Sequence, residues 1–291
     1  MELAIETILT ITDMRAAVTA WRQAGHRVAF VPTMGALHEG HLSLVRTAKL
    51  EGFRVVVSIF VNPLQFGPSE DFARYPRTLK DDIEKLRTVE CDAIFAPSAT
   101  EMYPAGFQTT IHNKMMSSGL CGKFRPGHFD GVLTIVGKLL NVVTPDVAFF
   151  GKKDYQQWRL IERMVSDLEL PYVIRGCDTV RESDGLAMSS RNRYLSADER
   201  EQASLIFRGM TACRELWQKG ERQTEQILAV FRDYIGRCPQ MKIQYAELVH
   251  QKTLEPMESQ IADRNTPTNE MVVMIVAVIY GDVRLIDNLE F

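Results

Sequence analysis

The chain has 291 residues, 45% of them hydrophobic and 24% charged, with a formal net charge of −3. This is the makeup of a globular protein with a full core, long enough for two domains or one large one. The acidic balance argues against nucleic acid as the main partner, and the five cysteines (91, 121, 177, 213 and 238) show no paired spacing, against a disulfide framework. The N-terminal residues carry Glu2, Glu6 and Asp13 and no basic-then-apolar signal pattern. The longest apolar run, Met271 to Tyr280, is too short to span a bilayer and reads as a buried strand. No membrane association and a cytoplasmic location are therefore expected.

In chain order, Asp13 is positioned to cap a helix running to Ala24, where Gly25 stops it. A strand is predicted over Arg27 to Val31, a helix over Leu42 to Leu50, and a second strand over Val55 to Val61, closed by Asn62-Pro63. Strand, helix and strand with short connections form a βαβ unit, so these two strands should be parallel. The alternation continues with a helix over Leu79 to Thr88, a strand from Ala93 to Ala96, and a helix over Gly131 to Val143. A short buried strand from Asp146 to Phe150, an amphipathic helix from Asp154 to Leu168 and a strand from Tyr172 to Cys177 follow. This is the pattern of an α/β domain with a mostly parallel sheet. Near residue 180 the pattern changes. Ser196-Ala197-Asp198-Glu199 is a capping box expected to open one long helix to Lys219, ended by Gly220. A helix over Thr224 to Arg237 and strands over Lys242 to Val249, Met271 to Tyr280 and Val283 to Asp287 follow, the last two joined by a Gly281-Asp282 hairpin turn. Between the first two of these strands, His250 to Glu270 is a polar connection. A small α+β domain is expected here.

The most informative stretch is His38-Glu39-Gly40-His41, in the run Pro32-Thr33-Met34-Gly35-Ala36-Leu37-His38-Glu39-Gly40-His41 that leads from a strand into a helix. A helix N-terminus offers unpaired N–H groups and a positive dipole end to an anion. Gly40 permits close backbone approach, and two imidazoles can donate to charge building on phosphorus. A phosphate site follows; a metal site would need a third ligand, for which the sequence offers no spacing. At the change in pattern, Met188-Ser189-Ser190-Arg191-Asn192 puts hydroxyls beside a guanidinium able to grip phosphate oxygens in pairs. Gly151-Lys152-Lys153-Asp154-Tyr155-Gln156-Gln157 and Asn62-Pro63-Leu64-Gln65-Phe66 each follow a predicted strand end, where open α/β sheets bind ligands. Gln65 supplies donors and an acceptor of the kind a hydroxy acid takes. The basic loop from Cys121 to Gly131 has two open readings, phosphate contact or lid.

These stretches together, with Phe60-Val61-Asn62-Pro63-Leu64-Gln65-Phe66 and Arg125-Pro126-Gly127-His128-Phe129, make the chain resemble the pantoate–β-alanine ligase (pantothenate synthetase) family over its whole length. The His-x-Gly-His and Met-Ser-Ser-Arg pieces are also similar to the wider nucleotidyltransferase and class I aminoacyl-tRNA synthetase group. The resemblance implies a Rossmann-like parallel-sheet nucleotide-binding domain of the nucleotidyltransferase (HIGH) type, residues 1–180, and a smaller α+β C-terminal lid domain, residues 181–291. It implies ATP-dependent condensation of pantoate with β-alanine through a pantoyl-adenylate, with Mg²⁺ accompanying the ATP phosphates, no all-protein metal cage, and a homodimer. Carried over residue by residue, His38, His41, Lys153 and Arg191 would be catalytic. Met34 to His41, Gly151 to Asp154, Val180 and Met188 to Arg191 would line the ATP site, and Gln65 and Gln157 would hold pantoate. Lys152 departs from the pattern, since Glu is expected there in many members. Two other readings stay in view: a nucleotidyltransferase acting on a phosphomonoester, against which the neutral amides of Gln65 and Gln157 speak, and a non-catalytic nucleotide-binding module.

Overall fold

In chain order, the computed structural model has strand β1 (Glu6–Ile8), helix α1 (Ile11–Gln23), β2 (Val28–Thr33), α2 (Glu39–Leu50), β3 (Arg54–Ile59), α3 (Leu79–Arg87), β4 (Ala93–Phe95) and α4 (Ala99–Met102). These are followed by α5 (Leu120–Phe124), α6 (His128–Val143), β5 (Val147–Gly151), α7 (Tyr155–Asp167) and β6 (Val173–Cys177). The residues described are 5–68, 70–257 and 272–291. The chain divides into two compact units: Met1–Ser117, Gly122–Lys152 and Gln157–Asp178 form one, and Ser118–Cys121, Lys153–Gln156 and Thr179–Phe291 the other.

The first unit is built on a parallel sheet of order β1-β4-β3-β2-β5-β6. Its strands are β-branched and apolar because helices cover both faces. Ala29, Val31, Val55 and Val57, alternate residues of β2 and β3, pack in one cluster with Leu42, Val45 and Ala48 of α2 and Leu86 of α3. On β2, α1 and α6 also pack, and against each other. The chain leaves β2 toward β3 and β4, then returns to place β5 on the other side of β2, so the order of strands reverses between β2 and β5. In open α/β sheets, ligands bind at such a reversal point, outside the carboxyl ends of the strands. Sequence patterning located these strands and helices to within a few residues. Several features differ, among them the short helix α4, which was not predicted. The cap of α1 is Thr10, whose hydroxyl accepts the Asp13 N–H at 3.1 Å, with Asp13 inside the first turn. The three-residue edge strand β1 was too short to show a period. The loop before α6 contains the short helix α5, and α6 itself starts at His128 rather than Gly131.

The second unit continues with α8 (Ala197–Gln202), α9 (Leu205–Gln218), α10 (Thr224–Gly236) and the antiparallel sheet β7 (Met241–His250), β8 (Val272–Tyr280) and β9 (Val283–Glu290), in that order. The Ser196–Glu199 capping box forms as expected. The single long helix expected from Ser196 to Lys219 is instead two. Ser204 donates its hydroxyl to the Glu201 carbonyl at 2.9 Å, while its own N–H and that of Ile206 reach back only three residues. A serine that competes for a backbone carbonyl tightens the turn and interrupts the ladder. Met210, Trp217, Phe231 and Ile235 of α9 and α10 share a core with Val272, Met274, Val276 and Val278 of β8. Gly281 and Asp282 make the tight β8–β9 turn, with Tyr280 opposite Val283. Met271 and most of the polar connection that follows His250 lie outside the described residues.

Candidate active site

At the carboxyl end of β2 the chain makes a tight loop before α2. Gly35 and Ala36 both have positive φ, +82° and +51°. For alanine this conformation costs on the order of 1–2 kcal/mol, so something must hold it. That is Asp82 of α3, a fully buried carboxylate. It accepts the Ala36 N–H at 3.0 Å, the Leu37 N–H at 2.8 Å and the Thr78 hydroxyl at 3.2 Å. One turn further along α3, Lys85 donates to the Leu37 carbonyl at 2.7 Å. Thr33 closes the loop from below, accepting the Gly35 N–H at 3.1 Å and donating to the Ser58 carbonyl at 2.6 Å.

The loop delivers His38 as the N-cap of α2. Its Nδ1 accepts the Gly40 N–H at 3.2 Å, and the His38 N–H in turn donates to Nδ1 of His41 at 3.3 Å. The two rings lie 4.1 Å apart, centroid to centroid. With each Nδ1 an acceptor, the proton of each neutral ring sits on Nε2. Gly40 is required by this packing: a Cβ there would stand 2.9 Å from Cε1 of His38. Glu39 points elsewhere; it pairs with Arg46, whose hydrogen bond holds its carboxyl below the usual range.

Beyond β3, Asn62 caps a 3-10 turn, Pro63–Gln65, and both Asn62 and Gln65 are buried. Asn62 Nδ2 donates to Gln65 Oε1 at 3.1 Å and to the Gly131 carbonyl at 3.0 Å, while its Oδ1 accepts from the Tyr103 hydroxyl at 2.8 Å. That bond fixes which end of the Gln65 amide is which, and Gln65 Nε2 lies 3.0 Å from the Met34 sulfur. Gln65 and the His loop are thus in direct contact. The Arg125–His128 segment meets the same turn. Arg125 makes a bidentate pair with Glu70 at 2.7 and 2.6 Å and donates to His128 Nε2 at 2.9 Å, so His128 Nδ1–H donates to the Gln65 carbonyl at 2.7 Å. Both side chains thus bond the Gln65 backbone carbonyl. Lys152, at the end of β5, pairs with Asp178 at 3.1 Å and lies over the Trp158 ring, so its charge is matched locally. Gln157, half-buried, is on the first turns of α7.

The second unit holds the remaining predicted residues. Lys153 lies 3.8 Å from the half-exposed carboxylate of Asp154, and its carbonyl accepts from Asn288 Nδ2 at 2.9 Å. Val180 and Met188 are joined, Met188 N–H to Val180 carbonyl at 3.0 Å, at the base of a tight hairpin turned by Gly185. Ser189 caps the 3-10 turn Ser190–Tyr194 by accepting the Arg191 N–H at 3.2 Å. Asn192 ties this turn to Glu182 and the Ala187 carbonyl, and Arg200 pairs with Glu182 and Asp184. The hairpin is also tied to β9 by Arg181, which grips the buried Asp287 at 2.6 and 2.9 Å; burial pushes the Asp287 carboxyl up, with Arg181 drawing it back.

A doubly wound parallel sheet whose reversal point meets a histidine-capped helix N-terminus defines the Rossmann-like nucleotide-binding class, here followed by a small antiparallel sheet. Residues 6–290 match the family model described as pantoate-beta-alanine ligase. A pantothenate synthetase of Sulfurihydrogenibium sp. (strain YO3AOP1) is 47% identical over 288 residues, covering 99% of this chain and all of that protein. The crystal structure of the Thermus thermophilus pantothenate synthetase superposes with a TM-score of 0.91 at 43% identity, covering 98% of this chain and 99% of that one. The Francisella tularensis pantoate-beta-alanine ligase complexed with beta-gamma ATP and beta-alanine superposes with a TM-score of 0.78 at 33% identity, over 99% of this chain and 98% of that one. The chain belongs to the pantoate–β-alanine ligase family. Asp82, Lys85, Tyr103 and Asn288 were not singled out from the sequence, and Asn62 was read only as part of the turn that holds Gln65. The four act across the fold on atoms far away in sequence.

Proposed function

We propose that this enzyme joins pantoate to β-alanine at the expense of ATP, in two steps. A pantoate carboxylate oxygen attacks the α-phosphorus of ATP, forming pantoyl-adenylate as the bond to the departing pyrophosphate breaks. The amine of β-alanine then attacks the activated acyl carbon, a C–N bond forms, the amine loses a proton and AMP leaves. A carboxylate alone would have to expel oxide, and adenylation replaces that with a good leaving group. No protein nucleophile is needed, so positioning and charge stabilisation supply the catalysis.

The observation that carries this reading is the pair of imidazoles at the start of α2, each with Nδ1 engaged by a backbone N–H and its proton on Nε2. Neutral donors at a helix N-terminus suit negative charge growing on phosphate oxygens. His41 and His38 act on the phosphates, Lys153 on the α-phosphate charge and Arg191 on the polyphosphate. Met34 to His41, Gly151 to Asp154, Val180 and Met188 to Arg191 bind the nucleotide. Gln65, with its amide oriented by Asn62, and Gln157 hold pantoate. Mg²⁺ enters with ATP, held by phosphate oxygens and water. Asp154, with a half-exposed carboxylate, would stand near the ribose or the metal-bound phosphates. Residues 1–180 serve as the ATP- and pantoate-binding domain and 181–291 as a lid that protects the adenylate from water. The enzyme works as a cytoplasmic homodimer.

The test is pyrophosphate and AMP release from ATP and pantoate, with and without β-alanine. Pantoate-dependent pyrophosphate, with AMP only when β-alanine is added, is expected. Without pantoate-dependent turnover, the phosphomonoester nucleotidyltransferase reading takes its place.

A further inference from the structure

The His38–His41 pair depends on a loop that cannot hold itself. Two consecutive residues at positive φ, Gly35 and Ala36, turn the N–H groups of Ala36 and Leu37 the same way. Left alone, those donors would seek an anion or water. Here they converge on an anion belonging to the protein, the Asp82 carboxylate, at 3.0 and 2.8 Å, in a site with no solvent exposure. Three residues on, Lys85 takes the Leu37 carbonyl at 2.7 Å. Asp82 and Lys85 are i, i+3 neighbours on α3 and lie on one helix face. One grips the loop by its donors and the other by its acceptor. The loop is too tight to be redrawn: a Cβ on Gly35 would meet Ile59 at 3.0 Å and the Asp82 carboxylate at 3.1 Å.

We propose that Asp82 and Lys85 form a strap that positions the histidine pair for the adenylation step alone. The inference rests on the proposed ligase reaction for its kinetic consequence, though not for its geometry. His38 follows directly on the strapped Leu37, and its N–H is the donor that orients His41. A shift of the Leu37 peptide therefore displaces both rings. Small displacements of transition-state donors cost rate more than ground-state binding, because a donor aimed at developing charge has little to gain before that charge appears. Amide formation, the second step, has its charge change at the acyl carbon and the departing AMP rather than in pyrophosphate expulsion, so it should not feel the strap.

Asp82→Asn keeps the shape but replaces one acceptor oxygen by a donor facing a backbone N–H. Lys85→Met keeps the stem and removes the donor to Leu37, and Lys85→Arg is the conservative counterpart. Single-turnover pyrophosphate release from ATP and pantoate should slow by roughly 10–10²-fold in Asp82→Asn and Lys85→Met. ATP affinity and β-alanine-triggered AMP release from preformed pantoyl-adenylate should stay within about threefold of wild type, and Lys85→Arg should recover most of the lost rate. Nitrogen-15 NMR of the imidazoles should show His38 and His41 as Nε2–H tautomers in the wild type and as mixtures in Asp82→Asn. Equal losses in both half-reactions would reduce the strap to general scaffolding and overturn the proposal, as would folded variants with wild-type adenylation rates. If the wild-type protein itself releases no pyrophosphate with pantoate, the ligase reading fails instead. The tautomer measurement then decides the strap by itself, since unchanged ring tautomers in Asp82→Asn would refute the positioning.

Discussion

In the proposed reaction His41 and Lys153 would take different places, and single substitutions should separate them. His41 sits in the first turn of α2, its Nδ1 held by the His38 N–H. His41→Ala removes one transition-state donor and should lower single-turnover pyrophosphate release by roughly 10²–10³-fold with the fold retained. A rate within a factor of three of wild type would remove His41 from the chemistry. Lys153 is held by its own backbone, through Asn288, with its side chain beside Asp154. Lys153→Ala should therefore depress adenylation more than ATP binding. Losses of equal size in nucleotide affinity and kcat/KM, with adenylation unchanged, would assign it to ground-state binding. Both residues were proposed from the sequence because each stands in a short run just past a strand end. Asp82 was not, because nothing in Leu79-Lys80-Asp81-Asp82 says that one of two adjacent carboxylates turns inward to a loop about 45 residues away.

At the scale of elements, the Gln65 turn packs directly on the backbone of α6 at Gly131. A Cβ on Gly131 would stand 2.2 Å from the Leu64 carbonyl oxygen and 2.6 Å from the Gln65 nitrogen. Alanine is favoured over glycine in a helix by about 1 kcal/mol, but here that gain is opposed by overpacking, which costs typically 1–3 kcal/mol. Backbone atoms cannot rotate away as a side chain can, so the upper end of that range applies. Gly131→Ala should lower the thermal unfolding midpoint and, where the protein folds, raise the KM for pantoate several-fold while leaving ATP affinity near wild type. A more stable variant with an unchanged pantoate KM would show that the turn and α6 can separate freely. The elements themselves were readable from periodicity and punctuation, as in β2, β3 and the β8–β9 hairpin. What escaped were short elements and features set by tertiary contact or by one side chain: the three-residue β1, the four-residue α4, the short α5, and the break between α8 and α9 at Ser204.

For the molecule as a whole, acid should strip support from both units through two carboxylates. In the first unit Glu70 is paired with Arg125; burial would lift its carboxyl, but the two guanidinium hydrogen bonds and their charge hold it below the usual range. In the second, Asp184 is held down by its hydrogen bond to Arg200. A carboxyl whose folded pKa is depressed binds fewer protons folded than unfolded. Its contribution is present above the unfolded value, about 4 for these side chains, and is lost as pH falls through the folded value. Asp287 has the opposite sign: burial raises its carboxyl, so whatever it contributes is present at low pH and lost as pH rises through the folded value. Glu70→Gln and Asp184→Asn should each unfold at a lower temperature than the wild type at pH 7, and the gap should close progressively below about pH 4, where the wild-type carboxyls protonate as well. Thermal unfolding followed from neutral pH to about pH 3 measures this directly. A gap that stays constant with pH would mean that shape and hydrogen bonding, not charge, are what these two residues supply. In that event the acid sensitivity would have to come from other groups.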